Sequence, residues 1–319
     1  MNWFSYAEFL NRRDEFDRSV VGTSEVAGFC SSANWQVAAN GFLHESEAET
    51  KFLIVEEGGN WLLFVDRDDR GIWFPMESAW MFGCPMIGDP AECVSMLKGA
   101  VIRRLASPAG FCVGGVRKNG SLHRELLSLR EESLRFEEFP ATDCMVIDLE
   151  AGYEAWLSRR STKFRKSVRQ SSGADGFEII DASCDAPDAL FRRIFSVQKQ
   201  TSKWRDGSDI FHGADYVRFY RYLIEKLHES GQLRILFAQQ AGVDSAYILG
   251  GDFSDQYRGL QMSYAESVRD SGIGNVLQLE NLRRCADDGI LEYDLGMHAP
   301  YKERWADRQD VYVTVFVVL

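Results

Sequence analysis

The chain has 319 residues and a mass of 36.3 kDa, a length that predicts two domains of roughly 150 residues each. Its residues are 45% hydrophobic and include only 7 Pro, which excludes a disordered or low-complexity chain. Thirty-six basic and 48 acidic residues give a net charge of −12. That charge disfavours nucleic acid and anionic membranes as partners, because their phosphates bind clustered Lys and Arg.

The sequence also lacks the patterns of membrane-spanning, secreted and metal-binding proteins. The longest apolar run, residues 311–319, is too short for a membrane span, which takes roughly 20 residues as a helix. The first 18 residues carry charges throughout and lack the apolar segment of a secretory signal, so we expect a cytoplasmic protein. The 7 Cys include no CxxC pair, and the 5 His form no HxxxH or HExxH set. We therefore expect reduced cysteines and no metal.

The first half of the chain mixes helical and strand-like patterns. A helix is predicted over residues 5–18. The Gly-Gly-Asn turn at 58–60 separates two apolar runs and predicts a β-hairpin. The Asp-Pro pair at 89–90 predicts a helix start, with the Asp as N-cap and the Pro at the first helical position.

An acidic segment, 131–142, and a strand, 143–149, precede a predicted domain boundary near residue 150. Beyond it the patterns predict, in order, a basic helix over 152–170, a strand over 176–182, helices over 188–200 and 214–229, strands over 233–239, 245–253 and 256–266, a helix over 274–288, and strands over 290–297 and the C-terminal residues. This order lacks the strict alternation of a doubly wound sheet, and we predict an α+β (mixed α/β) fold.

The segment from Arg269 to Asn275 lies between a strand that ends near Glu266 and a helix that begins near Gly274. Glycines at 272 and 274 allow close approach of a ligand to the backbone, and unpaired amides in the first turn of a helix attract anions. The pattern predicts a site for a diphosphate. The alternative is a glycine-rich turn that only reverses the chain.

This loop resembles the R/Q-x-x-G-x-G/A loop with which GNAT acyltransferases cradle the coenzyme A diphosphate. Neighbouring segments resemble the FemAB-like branch that includes the CelD type, namely FGCPMIGD (82–89), residues 144–170, KWRDGS (203–208), GQLRILFAQQAG (231–242) and DGILEYDLGMHAPYKERW (288–305). The resemblance covers roughly residues 75–319. It implies tandem GNAT-like domains, a degenerate one over 1–150 and one over 151–319 that carries the acyl-CoA loop.

The resemblance also implies the ligand. Acetyl-CoA or another acyl-CoA is expected, without a metal, on the residues of the loop, namely Arg269, Ser271, Gly272, Ile273, Gly274 and Asn275. The reaction joins an amine to a thioester carbonyl, so it needs stabilisation of an oxyanion and a proton for the leaving thiolate. By resemblance, Tyr301 is the candidate acid and Lys302 the candidate electrostatic stabiliser. The alternative is a turn whose charged residues are solvated.

An amine is mostly protonated at pH 7, so the reaction also needs a base or a water relay. Glu266, at the end of the strand beside the loop, and Asp294, in the YDLG segment, are the candidate bases, although a cap or a surface charge is the more common role for such a residue. His298 could titrate near neutrality and is a candidate for substrate binding. A lone His is more often structural.

Basic residues form one local exception to the acidic balance, at 159, 160, 163, 165, 166 and 169. A strip of this kind, including Arg165, would suit a coenzyme phosphate, a nucleotide sugar or a tRNA stem, and its alternative is a solvated face. Lys203 and Trp204 are candidates for the acceptor site, since an aromatic residue with basic neighbours suits an anionic or carbohydrate substrate. For Trp204 the alternative is core packing.

We therefore predict a cytoplasmic, acyl-CoA-dependent N-acyltransferase that moves an acyl group, in the first instance acetyl, to an amine of a small molecule or a cell-envelope precursor. Three alternatives stay open. They are a FemX-like transferase that uses aminoacyl-tRNA, an O-acyltransferase of polysaccharide biosynthesis, and a non-catalytic binding protein. The acceptor and the oligomeric state cannot be derived from the sequence.

Overall fold

The computed structural model describes residues 1–44, 50–105, 108–171 and 176–319. The chain divides into two compact units, one made of Met1–Asp143 with Asp310–Leu319 and the other of Cys144–Gln309. Both mix strands with helices, so the predicted mixed α/β fold is confirmed. Among the described residues no helix combines the length and the apolar character that a membrane crossing requires.

The first unit contains, in chain order, β1 (Asn2–Phe4), α1 (Tyr6–Leu10), α2 (Arg13–Val21), α3 (Gly28–Ser31), α4 (Ala33–Phe42), β2 (Lys51–Glu57), β3 (Asn60–Asp66), β4 (Ile72–Pro75), β5 (Met86–Ile87), α5 (Pro90–Arg104), β6 (Gly110–Arg117) and α6 (Ser121–Ser128). Strands β1 to β4 are joined as antiparallel neighbours, and β4 pairs in parallel with β6. The predicted opening helix is two helices, because the chain turns at Asn11 and Arg12.

Two local predictions in this unit are confirmed. The Gly-Gly-Asn turn closes a hairpin in which Glu57 pairs with Asn60. Helix α5 begins at Pro90, and the Asp89 carboxylate accepts the Glu92 amide at 3.0 Å. Both are short-range patterns, in which the residues that decide the conformation are neighbours in the chain.

The second unit begins within β7 (Arg135–Asp148) and continues with α7 (Gly152–Arg159), α8 (Thr162–Ser171), β8 (Phe177–Asp181), α9 (Pro187–Gln198), α10 (Ser202–Arg205), α11 (Ala214–Glu229), β9 (Leu233–Gln240), β10 (Val243–Phe253), β11 (Gln256–Tyr264), α12 (Ile273–Asp287) and β12 (Glu292–Met297). Its strands lie in the order β7-β12-β11-β10-β9-β8. The β11–β12 pair is parallel and the other pairs are antiparallel.

Two predictions around residue 150 need correction. Most of the acidic segment 131–142 belongs to strand β7, which begins at Arg135 instead of near residue 143. The basic helix breaks after Arg159, because the Ser161 hydroxyl accepts the Phe164 amide at 3.1 Å and starts a new helix. The side chain of Arg169, one member of the basic strip, lies outside the described residues.

Helix α12 holds the second unit together because its inner side contacts two apolar clusters. Leu277 packs with residues of β9 and β10, and Leu282 packs with Trp156, Tyr257 and Tyr293. Both leucines are fully buried. Burial of a Leu side chain contributes about 1.5 to 3 kcal/mol, so these contacts hold the start of α12 firmly against the sheet.

Strands β11 and β12 separate part of the way along their length. They pair from Gln256–Glu292 to Arg258–Asp294, and no pairing follows in the described residues, although β11 continues to Tyr264 and β12 to Met297. A bulge between Leu249 and Gly250 also shifts the register of β10 against β11 near the same level. The separation leaves one side of β11 open, and that opening holds the candidate site.

Candidate functional site

A cavity of about 470 Å³ lies where β11 and β12 separate. It is lined by residues of α10 and its cap, the end of β11, the start of α12, β12 and the segment after it, namely Thr201, Ser202, Lys203, Met262, Ser263, Tyr264, Glu266, Arg269, Gly272, Gly274, Asn275, Gln278, Leu295, Tyr301, Arg304 and Trp305. The volume is within the range of small-molecule sites. The cavity brings together the glycine loop and Tyr301, which are far apart in the sequence.

The glycine loop has the geometry of a helix N-terminus, with one change from the prediction. Gly272 has φ +77° and caps α12, a left-handed conformation that favours glycine. The Ile273 amide donates to the Ser271 hydroxyl at 3.2 Å, and the Asn275 amide donates to the Gly272 carbonyl at 2.9 Å. The expectation that all amides from 272 to 275 are free is therefore wrong for these two. Within the described chain, the Gly272 and Gly274 amides donate to no protein acceptor.

The segment before α12 also differs from the prediction. Strand β11 ends at Tyr264, and a 3₁₀ helix over Glu266–Ser271 replaces the expected open loop. The Arg269 guanidinium donates to the Glu266 carboxylate at 3.0 Å. Glu266, a candidate base, is thus paired at the glycine-loop end of the cavity.

Arg304 is a residue that the sequence reasoning missed. Its guanidinium donates to the Asn275 side chain at 3.2 Å, so it lies across the first turn of α12 and lines the cavity. Arg269 and Arg304 supply two cations beside the Gly272 and Gly274 amides, a combination that suits a diphosphate. The signal in the sequence was its position, since Arg304 is only three residues from Tyr301.

A smaller cavity of about 190 Å³ adjoins the first one. Lys203, Met262, Gln278, Leu295 and Tyr301 line both cavities. The smaller one adds Ile248, Gly259, Leu260, Gln261, Tyr293 and Lys302. The two cavities therefore share part of their lining, which includes Tyr301.

Tyr301 and Lys302 lie in the turn that follows β12. Tyr301 is half-exposed, and partial burial together with the neighbouring Tyr264 raises its pKa above the usual 10, so the phenol carries its proton at neutral pH. Burial and the nearby Arg258 cation lower the pKa of Lys302 to about 8, while Asp294 opposes the change. The Lys302 ammonium donates to the Met297 carbonyl at 2.8 Å. It is therefore a cation whose charge is easily lost.

Asp294 makes structural contacts. Its carboxylate forms an ion pair with the buried Arg258, and its other oxygen accepts the Gly296 amide at 2.7 Å. Gly296 has φ +83°, which turns the chain out of β12 toward Tyr301 and Lys302. Asp294 lines neither cavity. Its contacts are those of a residue that holds the turn, and they leave it poorly suited as a base.

The basic strip also has structural contacts. Arg160 donates to the Trp305 and Ala306 carbonyls at 3.0 and 2.8 Å and pairs with Asp307. The Trp156 indole donates to the same Trp305 carbonyl at 3.2 Å, with the two indoles stacked. These contacts fasten the C-terminal end of the turn that carries Tyr301.

Three predicted substrate-binding residues lie outside both cavities. Arg165 extends along α8 toward Thr162. Trp204, which is partly buried, packs its ring on Phe195 and His212. His298 donates to Glu303 at 2.8 Å on the surface. Of the predicted substrate-binding residues, Lys203 lines the cavities. Among the described residues no group of His, Cys, Asp and Glu is arranged to hold a metal.

Comparison with known proteins agrees with this geometry. Residues 158–303 match the family described as acetyltransferase (GNAT) domain. The structure of FemX superposes with a TM-score of 0.70 at 11% identity, covering 100% of this chain and 98% of the other. A conserved protein of unknown function from Bacteroides thetaiotaomicron gives 0.65 at 12% identity, with 97% of each chain covered. L-PGS from Bacillus licheniformis gives 0.56 at 10% identity, covering 95% and 90%. No curated protein matches the sequence significantly.

The matching segment, residues 158–303, contains most of the residues that line the larger cavity, including the glycine loop. This segment is similar to a GNAT acetyltransferase domain, and the chain has the fold of FemX along its whole length. The resemblance derived from the sequence is thereby confirmed for the second unit. That the first unit is a degenerate GNAT-like domain stays a prediction, as do the domain bounds 1–150 and 151–319.

Proposed function

We propose that the chain is a cytoplasmic acyl-CoA-dependent N-acyltransferase that moves an acyl group, in the first instance acetyl, to the amine of a small molecule or cell-envelope precursor. The observation that carries the proposal is a pair of cavities that share five lining residues, Tyr301 among them. The larger cavity extends from two free amides at the start of α12 to Tyr301, and the smaller one is also lined by Lys302.

The first cavity suits the donor. The Gly272 and Gly274 amides, Arg269 and Arg304 would hold a diphosphate, and each contact at a helix N-terminus contributes about 0.3 to 1 kcal/mol, or up to 2 when partly buried. The open side of β11 next to Met262 and Tyr264 offers backbone groups to a chain that runs along the strand. No metal is needed for these contacts.

A bound acyl-CoA supplies a thioester carbonyl, whose C–S bond breaks as the C–N bond to the amine forms. The Lys302 ammonium stabilises negative charge that develops near the reacting carbonyl. The Tyr301 phenol, protonated at neutral pH, gives its proton to the leaving thiolate. The proton lost by the amine passes to water, because Glu266, the carboxylate that lines the larger cavity, is paired with Arg269.

The proposal is tested by ligand-dependent melting. Coenzyme A and acetyl-CoA should both raise the melting temperature, and acetyl-CoA should be consumed in the presence of an acceptor. Gly274→Val should abolish the shift, because a side chain there would meet Tyr264 and Met262 at ordinary contact distances while filling the cavity wall. Gly41→Val, in a helix position with open space around it, is the matched control. No shift with any thioester would overturn the proposal.

A FemX-like aminoacyl-tRNA-dependent transferase is the second candidate. The superposition on FemX favours it, and so do Lys163 and Lys166, whose side chains are exposed on α8. Transfer of a labelled aminoacyl group from charged tRNA, without a melting shift from coenzyme A, would establish it. Acylation of hydroxyl acceptors in the same panel would indicate the O-acyltransferase. Binding of coenzyme A without turnover would indicate the non-catalytic alternative.

A further inference from the structure

The smaller cavity is lined by cations without an opposing carboxylate. Lys203 and Lys302 both line it, and none of its lining residues is an Asp or Glu. Neither ammonium forms an ion pair within the described part of the chain, where Lys302 donates to a backbone carbonyl. This is unusual for a protein with a net charge of −12, whose surface offers many acidic partners.

The same cavity contains both hydrogen-bond acceptors and cations, a combination that suits an amine beside an anion. The amide nitrogen of Gln278 donates to Tyr293 at 2.6 Å, and that of Gln261 donates to Tyr220 at 3.0 Å. Each amide thus uses one of its two N–H donors inside the protein and keeps a carbonyl oxygen that could accept from a ligand. The cavity offers acceptors from the glutamines and positive charge from the lysines.

We propose that the acceptor amine carries an anionic group, a carboxylate or a phosphate, that pairs with Lys203 while its nitrogen lies between the glutamine oxygens and Tyr301. The proposal rests on the acyltransferase function proposed above and names the class of its acceptor. Because Lys203 lines both cavities, an anion bound to it lies at the junction, next to the reacting carbonyl.

Electrostatics support this assignment. Lys203 is one of the cations that lower the pKa of Lys302, so the two ammonium groups repel each other across the cavity. A bound anion removes that repulsion and keeps Lys302 charged. The cavity of about 190 Å³ admits only a small head group, so the anion and the amine should lie within a few bonds of each other.

The experiment uses pairs of primary amines that differ in charge alone. Glycine and β-alanine are compared with their amides, and glucosamine 6-phosphate with glucosamine, in an assay of thiol release from acetyl-CoA. The anionic member of a pair should have the higher kcat/KM, by about tenfold or more, as expected for one charge-assisted contact. The carboxylate and phosphate pairs distinguish the two sources of negative charge.

A charge-removing variant locates the contact. Lys203→Gln should reduce the ratio of kcat/KM between the anionic and the neutral member about tenfold, which brings the pair close to parity. Arg205→Gln is the matched control, because Arg205 belongs to the same short helix, is exposed and paired with Asp206, and lines neither cavity. It should leave the preference intact.

The outcomes separate this inference from the proposed function. A melting shift with coenzyme A, together with equal or better use of the neutral amines, overturns the anionic acceptor and leaves the acyltransferase standing. If Lys203→Gln reduces kcat/KM equally for the anionic and the neutral member of a pair, the anionic acceptor is overturned as well. If no anionic member turns over or shifts the melting temperature of the coenzyme-A-bound protein, the inference is also overturned. Absence of a coenzyme A shift instead refutes the function itself.

Discussion

The charge of Lys302 should control the rate of acyl transfer between pH 7 and pH 9. Burial and Arg258 lower its pKa from 10.5 to about 8. A group with that pKa is about 90% protonated at pH 7 and about 10% at pH 9. If the ammonium stabilises the developing oxyanion, the contribution of Lys302 falls about tenfold over this interval as pH rises through the pKa.

The assay must separate Lys302 from the acceptor, whose amine loses its own proton over the same pH range and so accelerates the reaction. Lys302→Arg is the matched variant, because a guanidinium stays charged throughout. Rates are measured with saturating acetyl-CoA and a neutral amine acceptor, because a bound anion would keep Lys302 charged, and the ratio of wild type to variant cancels the titration of the acceptor. This ratio should fall about tenfold from pH 7 to pH 9. A ratio that is constant with pH would refute the role of the Lys302 charge.

Two further predictions concern the turn that carries the site. Asp294→Asn should lower the free energy of unfolding by about 3 to 5 kcal/mol in denaturant titrations, because Arg258 is buried and would lose its anionic partner. Asp206→Asn, in an exposed ion pair, should change the free energy of unfolding by about 0.5 kcal/mol or less. Equal effects of Asp294→Asn and Asp206→Asn would contradict the argument. Arg160→Ala should speed hydrogen exchange in residues 298–306 and lower kcat, while the coenzyme A melting shift persists. Unchanged hydrogen exchange would show that Arg160 does not fasten the turn.

The parts of the site that depend on neighbouring residues could be predicted from the sequence. The glycine loop was found because Gly272 and Gly274 lie between a strand pattern and a helical pattern. The sequence could not show which amides of the loop are already hydrogen-bonded, because their bonding depends on the φ angle of Gly272 and on the rotamer of Ser271. The break at Arg159 was readable in principle, since Ser161 is a favourable N-cap.

Contacts between residues that are far apart in the sequence could not be predicted from it. Asp294 lies 36 residues from Arg258, and the parallel register of β11 and β12 brings them opposite each other. A single sequence contains no signal for that register, so Asp294 was read as a candidate base. The same limit applies to Trp204, whose basic neighbours suggested a ligand although its ring packs on Phe195 and His212.

One pairing in the first unit has a consequence for biosynthesis. Strand β13 (Arg308–Val318) pairs with β6, and Arg117 is joined to Asp310 across 193 positions of the chain. The ribosome makes the whole of Cys144–Gln309 before this partner strand exists, so β6 keeps an open edge during that time. The second unit is therefore synthesised completely before the first unit is, although most of the first unit precedes it in the sequence. Shortening the chain by its ten C-terminal residues would damage the unit whose synthesis begins first.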